Sequence, residues 1–223
     1  MSVPSQNLQI LQEVFGYDAF RGPQAAIIDH VVGGGDALVL MPTGGGKSLC
    51  YQIPAILRPG LCLVVSPLIA LMTDQVAALR AAGVSAAKLD SSQDRMERQE
   101  CLRAASEGTL DLLYLSPEGL FAGGMLDALK QCRLSLIAID EAHCVSQWGH
   151  DFRPDYRTLG RLADVFPDTP RIAVTATADL RTQADIRAQL RLENARTFVA
   201  SFDRPNLVLS AERKPPKVLD RIV

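Results

Sequence analysis

Two groups of residues in this sequence have the types and spacing for phosphate chemistry. Asp140 and Glu141 stand together directly after the apolar run SLIAI (135–139), and MPTGGGKS (41–48) overlaps the end of the apolar run DALVLM (36–41). In the second group Gly44, Gly45 and Gly46, beside Thr43, tolerate backbone angles closed to other residues, so successive N–H groups can point into one hollow. A helix running from about Lys47 through LCYQIPAIL, despite Pro54, would add the positive end of its dipole. Lys47 is then placed to reach the β- and γ-phosphates of a nucleotide, and the Ser48 hydroxyl to ligate magnesium. Given that cradle, Asp140 is expected to hold the same magnesium through water and Glu141 to polarise the water attacking the γ-phosphate of ATP.

The elements that must position these groups show in the rhythm of the chain. Apolar runs at 36–41, 61–65, 84–89, 111–115, 134–139, 171–175 and 196–200 alternate with helix-period segments. This pattern predicts an α/β fold, a mostly parallel sheet with right-handed crossovers and helices on both faces. Both chemical groups then fall at the carboxyl ends of strands, where such sheets place their ligands. Leu68, Met72, Val76 and Leu79 share one helical face that Gly83 would terminate.

Composition narrows the setting. Of 223 residues, 48% are hydrophobic, ample for a core, and the 23 Lys and Arg against 25 Asp and Glu give a net charge of −2. Without a general basic field, any nucleic-acid binding has to come from a local surface. Cys50, Cys62, Cys101, Cys132 and Cys144 form no CxxC pair and no zinc-like grouping, so they read as buried thiols of a reducing compartment. The amino terminus lacks the basic and apolar regions of a secretion signal. The longest apolar stretch, LCLVVSPLIALM, is interrupted by Ser66 and Pro67. A cytoplasmic or nuclear protein is expected, neither secreted nor embedded in a membrane.

Taken together, the motifs resemble the first motor lobe of RecQ-family DNA helicases, within superfamily two. Met41 stands where the usual phosphate-loop pattern begins with glycine, a departure tolerated in helicase-type loops. FGYDAFRGPQ (15–24) resembles the family's adenine-recognition segment. By that resemblance Tyr17 and Arg21 would sandwich the adenine and Gln24 would hydrogen-bond its edge. VVSPLIALMTDQV (64–76) and LLYLSPE (112–118) resemble segments that touch single-stranded DNA, through Ser66, Pro67 and Ser116. In AVTATAD (173–179) the resemblance has Thr175 and Thr177 link the nucleotide site to the DNA path, while Asp179 could simply cap the next helix. The run CVSQWGHDFRPDYR (144–157) separates this family from DEAH-bearing RNA helicases. Trp148 and Phe152 would stack on bases, Arg153 would add charge, and His143, Gln147 and His150 would report whether DNA is present.

The resemblance implies ATP and Mg2+ as cofactors, single-stranded and partially duplex DNA as partners, 3′-to-5′ polarity, and no metal site beyond magnesium. It also implies a second RecA-like lobe that supplies an arginine to the transition state, a contribution worth ~10³–10⁵ in rate in related systems. Residues 1–200 are expected to form a RecA-like P-loop lobe, and 201–223 a linker and the start of that second lobe. Such a fragment would bind ATP weakly and not unwind duplex alone. Two other readings stay open from residues alone: an RNA helicase or remodelling ATPase of the same superfamily, and a non-catalytic nucleotide-binding module.

Overall fold

The computed structural model describes residues 5–148 and 151–201. Helices α1 (Gln6–Glu13) and α2 (Gln24–Val32) precede β1 (Ala37–Leu40), followed by α3 (Leu49–Leu57), β2 (Leu61–Val65), α4 (Ile69–Ala81), β3 (Ala86–Leu89), α5 (Arg95–Ser106) and β4 (Leu112–Leu115). Next come α6 (Pro117–Phe121), α7 (Met125–Leu129), β5 (Leu134–Ile139), α8 (Pro154–Arg157), α9 (Leu162–Val165), β6 (Arg171–Thr175), α10 (Leu180–Gln189) and β7 (Arg196–Val199). Short 3₁₀ turns occupy Ala142–Val145 and Thr158–Arg161.

All seven strands join one sheet in the order β3-β4-β2-β5-β6-β1-β7. Among the described residues every pairing is parallel. The apolar runs predicted as strands are therefore strands, three of them with the bounds read and four trimmed by a residue or two at their ends. The inner strands are almost wholly apolar because both faces are covered, while the edge strands β3 and β7 admit Lys88, Arg196 and Thr197. Ala37 and Val39 pack with Ile27, Val31, Cys50 and Tyr51 of α2 and α3. Leu38 and Leu40 point the other way, into a layer that includes Cys101 of α5, Tyr156 of α8 and Ile186 of α10. Burying each such Leu or Val contributes roughly 1.5–3 kcal/mol, so the alternation along β1 fixes which helices lie on which face.

The order of strands brings the two chemical groups together. β5, which ends at the acid pair, and β1, which ends at the glycine loop, flank β6, which ends at Thr175. The Met41 N–H donates to the Thr175 carbonyl at 3.1 Å, extending the β1–β6 ladder to the edge of the loop.

Several local expectations are corrected. The helix after the glycine loop begins at Leu49, with Lys47 and Ser48 in the preceding turn. Leu68 does not join the buried face of α4. It takes an extended backbone as the chain leaves Pro67 and stays about half exposed, while Met72, Val76 and Leu79 are buried as read. Four cysteines are buried, but Cys132 is only half-buried. Asp179 does cap α10, accepting the Thr182 N–H at 2.7 Å. No helix among the described residues is long and apolar enough to cross a membrane. The expected linker and start of a second lobe lie, apart from Ser201, outside the described residues.

Candidate active site

Local conformation explains the glycines of the loop. Gly44 and Gly46 both have φ of +78°, a region costly to residues with a Cβ. At Gly45 an added Cβ would lie 2.9 Å from the Pro42 carbonyl oxygen, which the Gly45 N–H itself engages at 2.9 Å. Met41 is buried beneath the loop, its sulfur 3.9 Å from the Cys50 thiol. It braces the turn from below rather than bending the chain. Thr43 is exposed at the tip, and Lys47 and Ser48 are half-buried. The Ser48 hydroxyl makes no bond to cap its helix, which leaves a hard oxygen donor at the helix start.

Beside the loop, Tyr17, Arg21, Gln24 and the three glycines line one pocket. Tyr17 and Arg21 are exposed, and the guanidinium carbon of Arg21 lies 5.9 Å from the Tyr17 ring centroid. That is the outer limit of cation–π contact, so the pair must part for a base to enter between them. Gln24 is buried and already engaged. Its Oε1 accepts the Arg21 N–H at 2.8 Å, and its Nε2 donates to the Gly45 and Gly46 carbonyls at 3.1 and 3.2 Å. Sequence reading took this amide as a contact for the adenine edge; in this arrangement it holds the phosphate loop.

At the end of β5, Asp140 is buried and its Oδ1 accepts the Glu141 N–H at 2.9 Å. Burial foremost, then the charge of Glu141, pushes the Asp140 carboxyl up to about 6, against the pull of the Glu141 N–H, Lys47 and His143. Glu141 goes the other way. Its hydrogen bond to His143, helped by the Lys47 charge, holds it below the usual carboxylate range against partial burial. Glu141 stands at φ 47°, ψ 46°. Such a left-handed setting costs a non-glycine residue about 1–3 kcal/mol and persists where surroundings enforce it. Tyr156, missed in the sequence, supplies part of that enforcement: its buried hydroxyl donates to the Asp140 carbonyl at 2.9 Å. An aromatic hydroxyl within the same loop as the acid pair was the available signal.

These residues fit magnesium. Ser48 and Asp140 are oxygen donors, and the Asp140 carboxyl, raised first by burial and then by the neighbouring Glu141 charge, is one whose charged form a bound cation would favour.

Beyond the acid pair, Nδ1 of His143 lies 2.9 Å from the Thr175 hydroxyl and 3.3 Å from Glu141 Oε2. Thr175 is fully buried, and its hydroxyl donates to the carbonyl of the exposed Thr177 at 3.2 Å. Gln147 and Trp148 are exposed, Phe152 and Arg153 half-buried. Arg157 stacks on Phe152 at 5.4 Å. Arg153 reaches back across the sheet edge, its Nη1 donating to the Pro67 carbonyl at 2.9 Å. The Ser66 hydroxyl expected at the surface is instead 1% exposed and has no hydrogen-bond partner. The residue lies one past β2, where its N–H still donates to the Leu115 carbonyl at 3.0 Å and its side chain turns inward. Ser116 spends its hydroxyl on capping α6, accepting the Gly119 N–H at 3.1 Å. His150 lies outside the described residues.

Comparison with known proteins fits this geometry. A family model described as DEAD/DEAH box helicase matches residues 21–186. The chain is 50% identical over 218 residues to the ATP-dependent DNA helicase RecQ of Haemophilus influenzae, covering 97% of this chain and 35% of that protein. It is 44% identical over 218 residues to the probable ATP-dependent DNA helicase RecS of Bacillus subtilis, covering 96% of this chain and 44% of that one. It thus spans well under half the length of these curated relatives. The crystal structure of the DUF1998 helicase MrfA superposes with a TM-score of 0.71 over 89% of this chain and 33% of that chain, a likeness of fold at 19% identity. The family match spans both the glycine loop and the acid pair, and the chain belongs to the DEAD/DEAH box helicase family, among its RecQ-type members.

Proposed function

We propose that this chain is the ATP-binding motor lobe of a DNA helicase, in which hydrolysis of ATP is coupled to 3′-to-5′ movement on single-stranded DNA and to unwinding of partially duplex DNA. The observation that carries this reading is the position of His143. Its Nδ1 faces both Glu141 and Thr175, so the carboxylate assigned to hydrolysis and the strand-end hydroxyl leading to Thr177 share one ring.

In this reading Lys47 and the N–H groups of Gly44 and of Gly46 to Ser48 hold the β- and γ-phosphates, the Gly45 N–H being spent on the Pro42 carbonyl. Ser48 and Asp140 would ligate Mg2+, which when bound neutralises phosphate charge and orients the γ-phosphoryl group. Glu141, kept ionised by His143 and Lys47, accepts a proton from the attacking water. Tyr17 and Arg21 open to stack on the base, and Gln24 exchanges a loop carbonyl for the adenine edge. On the DNA side Trp148 and Phe152 offer faces worth about 1–3 kcal/mol per stacked base. Arg153 ties that loop to the segment after β2, so movement of bases over Pro67 reaches the turn that carries His143. Ser66 acts through its backbone, and Ser116 by shaping the loop it caps. A second RecA-like lobe would complete the transition-state charge with an arginine.

The test is ATP hydrolysis by this lobe joined to a second RecA-like lobe, with single-stranded DNA or RNA of equal length added. Greater stimulation by DNA is expected. Equal or greater stimulation by RNA would sink the DNA assignment in favour of an RNA helicase. Glu141→Gln should bind ATP yet lose at least ~10²-fold in turnover, and full turnover in that variant would favour the non-catalytic module.

A further inference from the structure

On the side of His143 turned away from Glu141, three donors of different softness converge. Cys144 Sγ lies 3.9 Å from His143 Nε2 and 3.7 Å from Asp151 Oδ2, and the three donor atoms all fall within 4.8 Å of one another. A tetrahedral ion with bonds of ~2.0–2.3 Å holds its ligands roughly 3.3–3.8 Å apart. The two separations at the Cys144 sulfur are already close to this spacing, and rotation of the exposed Asp151 would bring the third pair, within 4.8 Å, onto one ion. His143 and Cys144 are buried and Asp151 is exposed, so the cluster is anchored in the domain and open to solvent at one corner.

The other ring nitrogen supplies an independent argument. Thr175 donates its hydroxyl hydrogen to the Thr177 carbonyl, so toward His143 it accepts, and the Glu141 carboxylate can only accept. In the neutral tautomer these partners select, the hydrogen is on Nδ1 and Nε2 is the ring atom that faces Cys144. An imidazole whose far N–H is held by a carboxylate or hydroxyl is the form in which histidine ligates metals, with tautomer and ring orientation fixed in advance.

We propose that His143 Nε2, Cys144 Sγ and Asp151 Oδ2 form a binding site for a thiophilic divalent cation of the zinc class, with water completing the tetrahedron. Thiol sulfur and imidazole nitrogen suit a zinc-class ion, whereas hard magnesium favours all-oxygen ligand sets. The competing partner of Asp151 is Arg153, 3.7 Å away in a pair that is substantially exposed on both sides and so worth little. Sequence reading foresaw no such grouping because Cys144 has no second cysteine near it; two adjacent residues and one seven positions on become ligands only once the turn after β5 folds. A cation here would pin the start of the aromatic loop to the residue that holds Glu141. That regulatory consequence rests on the helicase reading, but the binding itself does not.

Cobalt(II) titration of the metal-stripped chain, followed optically, tests the site. One equivalent should bind with a thiolate-to-cobalt charge-transfer band that zinc displaces. Cys144→Ser should abolish the band and Cys132→Ser should keep it. Because Cys144 is buried and its variant could misfold, Asp151→Asn, at an exposed position, provides the second arm: affinity should fall at least tenfold. Absence of the band in the parent chain, its survival in Cys144→Ser, its loss in Cys132→Ser, or unchanged affinity in Asp151→Asn would overturn the proposal. A failure of DNA to stimulate ATP hydrolysis would leave all four readings intact, so the two ideas fall separately.

Discussion

The guanidinium of Arg181 lies over the indole of Trp148, its central carbon 3.2 Å from the ring centroid. One face of the aromatic side chain proposed to take a base is therefore covered by the first turn of α10. An exposed cation–π contact of this kind contributes roughly 0.5–1 kcal/mol, less than the ~1–3 kcal/mol of a stacked base. DNA should win the exchange. Trp148 is the single tryptophan of the sequence, so its fluorescence reports the contact directly. Arg181→Ala should make the emission more readily quenched by acrylamide, and single-stranded DNA should protect it in both forms. Identical quenching in parent and variant would show that the contact does not form in solution.

The phosphate loop and Gln24 are mechanically coupled, and substitution should expose it. Gly44 and Gly46 share a φ of +78°, but around Gly44 a Cβ meets nothing within 4 Å, whereas at Gly46 it runs into the Gln24 amide nitrogen. Gly44→Ala should cost only the strain of its backbone region, about 1–3 kcal/mol. Gly46→Ala should cost more in thermal or urea denaturation. Adding Gln24→Ala should recover part of that excess, a coupling that vanishes in the Gly44→Ala background. Strict additivity in both backgrounds would refute the steric account.

Ser66 offers a contrast between surface and core roles. Its hydroxyl is buried without a hydrogen-bond partner, an arrangement that costs about 1–3 kcal/mol. Ser66→Ala should thus be neutral or stabilising in a urea melt, and should leave affinity for single-stranded DNA within twofold. A clear loss of DNA affinity with unchanged stability would mean that the hydroxyl turns outward when DNA binds.

What could be read in advance divides along physical lines. The strands were legible because a sheet covered on both faces demands continuous apolar runs, and SLIAI or LCLVV can hardly be anything else. Gly44 to Gly46, Lys47 and the acid pair were legible because their demands are local: backbone angles, a dipole, a strand end. Burial of Ser66 was not, since a hydroxyl one residue past a strand can face either way. Contacts between distant segments also left no local trace. Arg153 and Pro67 are 86 residues apart, and Gln24 and Gly45 are 21 apart. Arg181 is helix surface by every neighbour in sequence, and only the fold lays it on Trp148.

Asp140 should make stability fall as pH rises. Its carboxyl stands at about 6 in the folded chain against an ordinary value of 3.8, so between these values the native state holds a proton that the unfolded state has lost. By linkage the native state is penalised progressively from about pH 4 to pH 6, and fully above that; below pH 4 both states are protonated and the penalty disappears. About two units at ~1.4 kcal/mol each set its scale at roughly 3 kcal/mol. Asp140→Asn keeps an acceptor for the Glu141 N–H and removes the charge. In magnesium-free buffer the variant should therefore be more stable than the parent at pH 7.5, by about 1–3 kcal/mol, with the gap closing as pH approaches 4. Urea melts of both proteins across that range provide the measurement. Magnesium with a non-hydrolysable ATP analogue should reverse the order, because ligand binding stabilises the parent in proportion to occupancy and the variant has lost a metal ligand. Parallel pH curves would mean that burial and the Glu141 charge do not raise the Asp140 carboxyl.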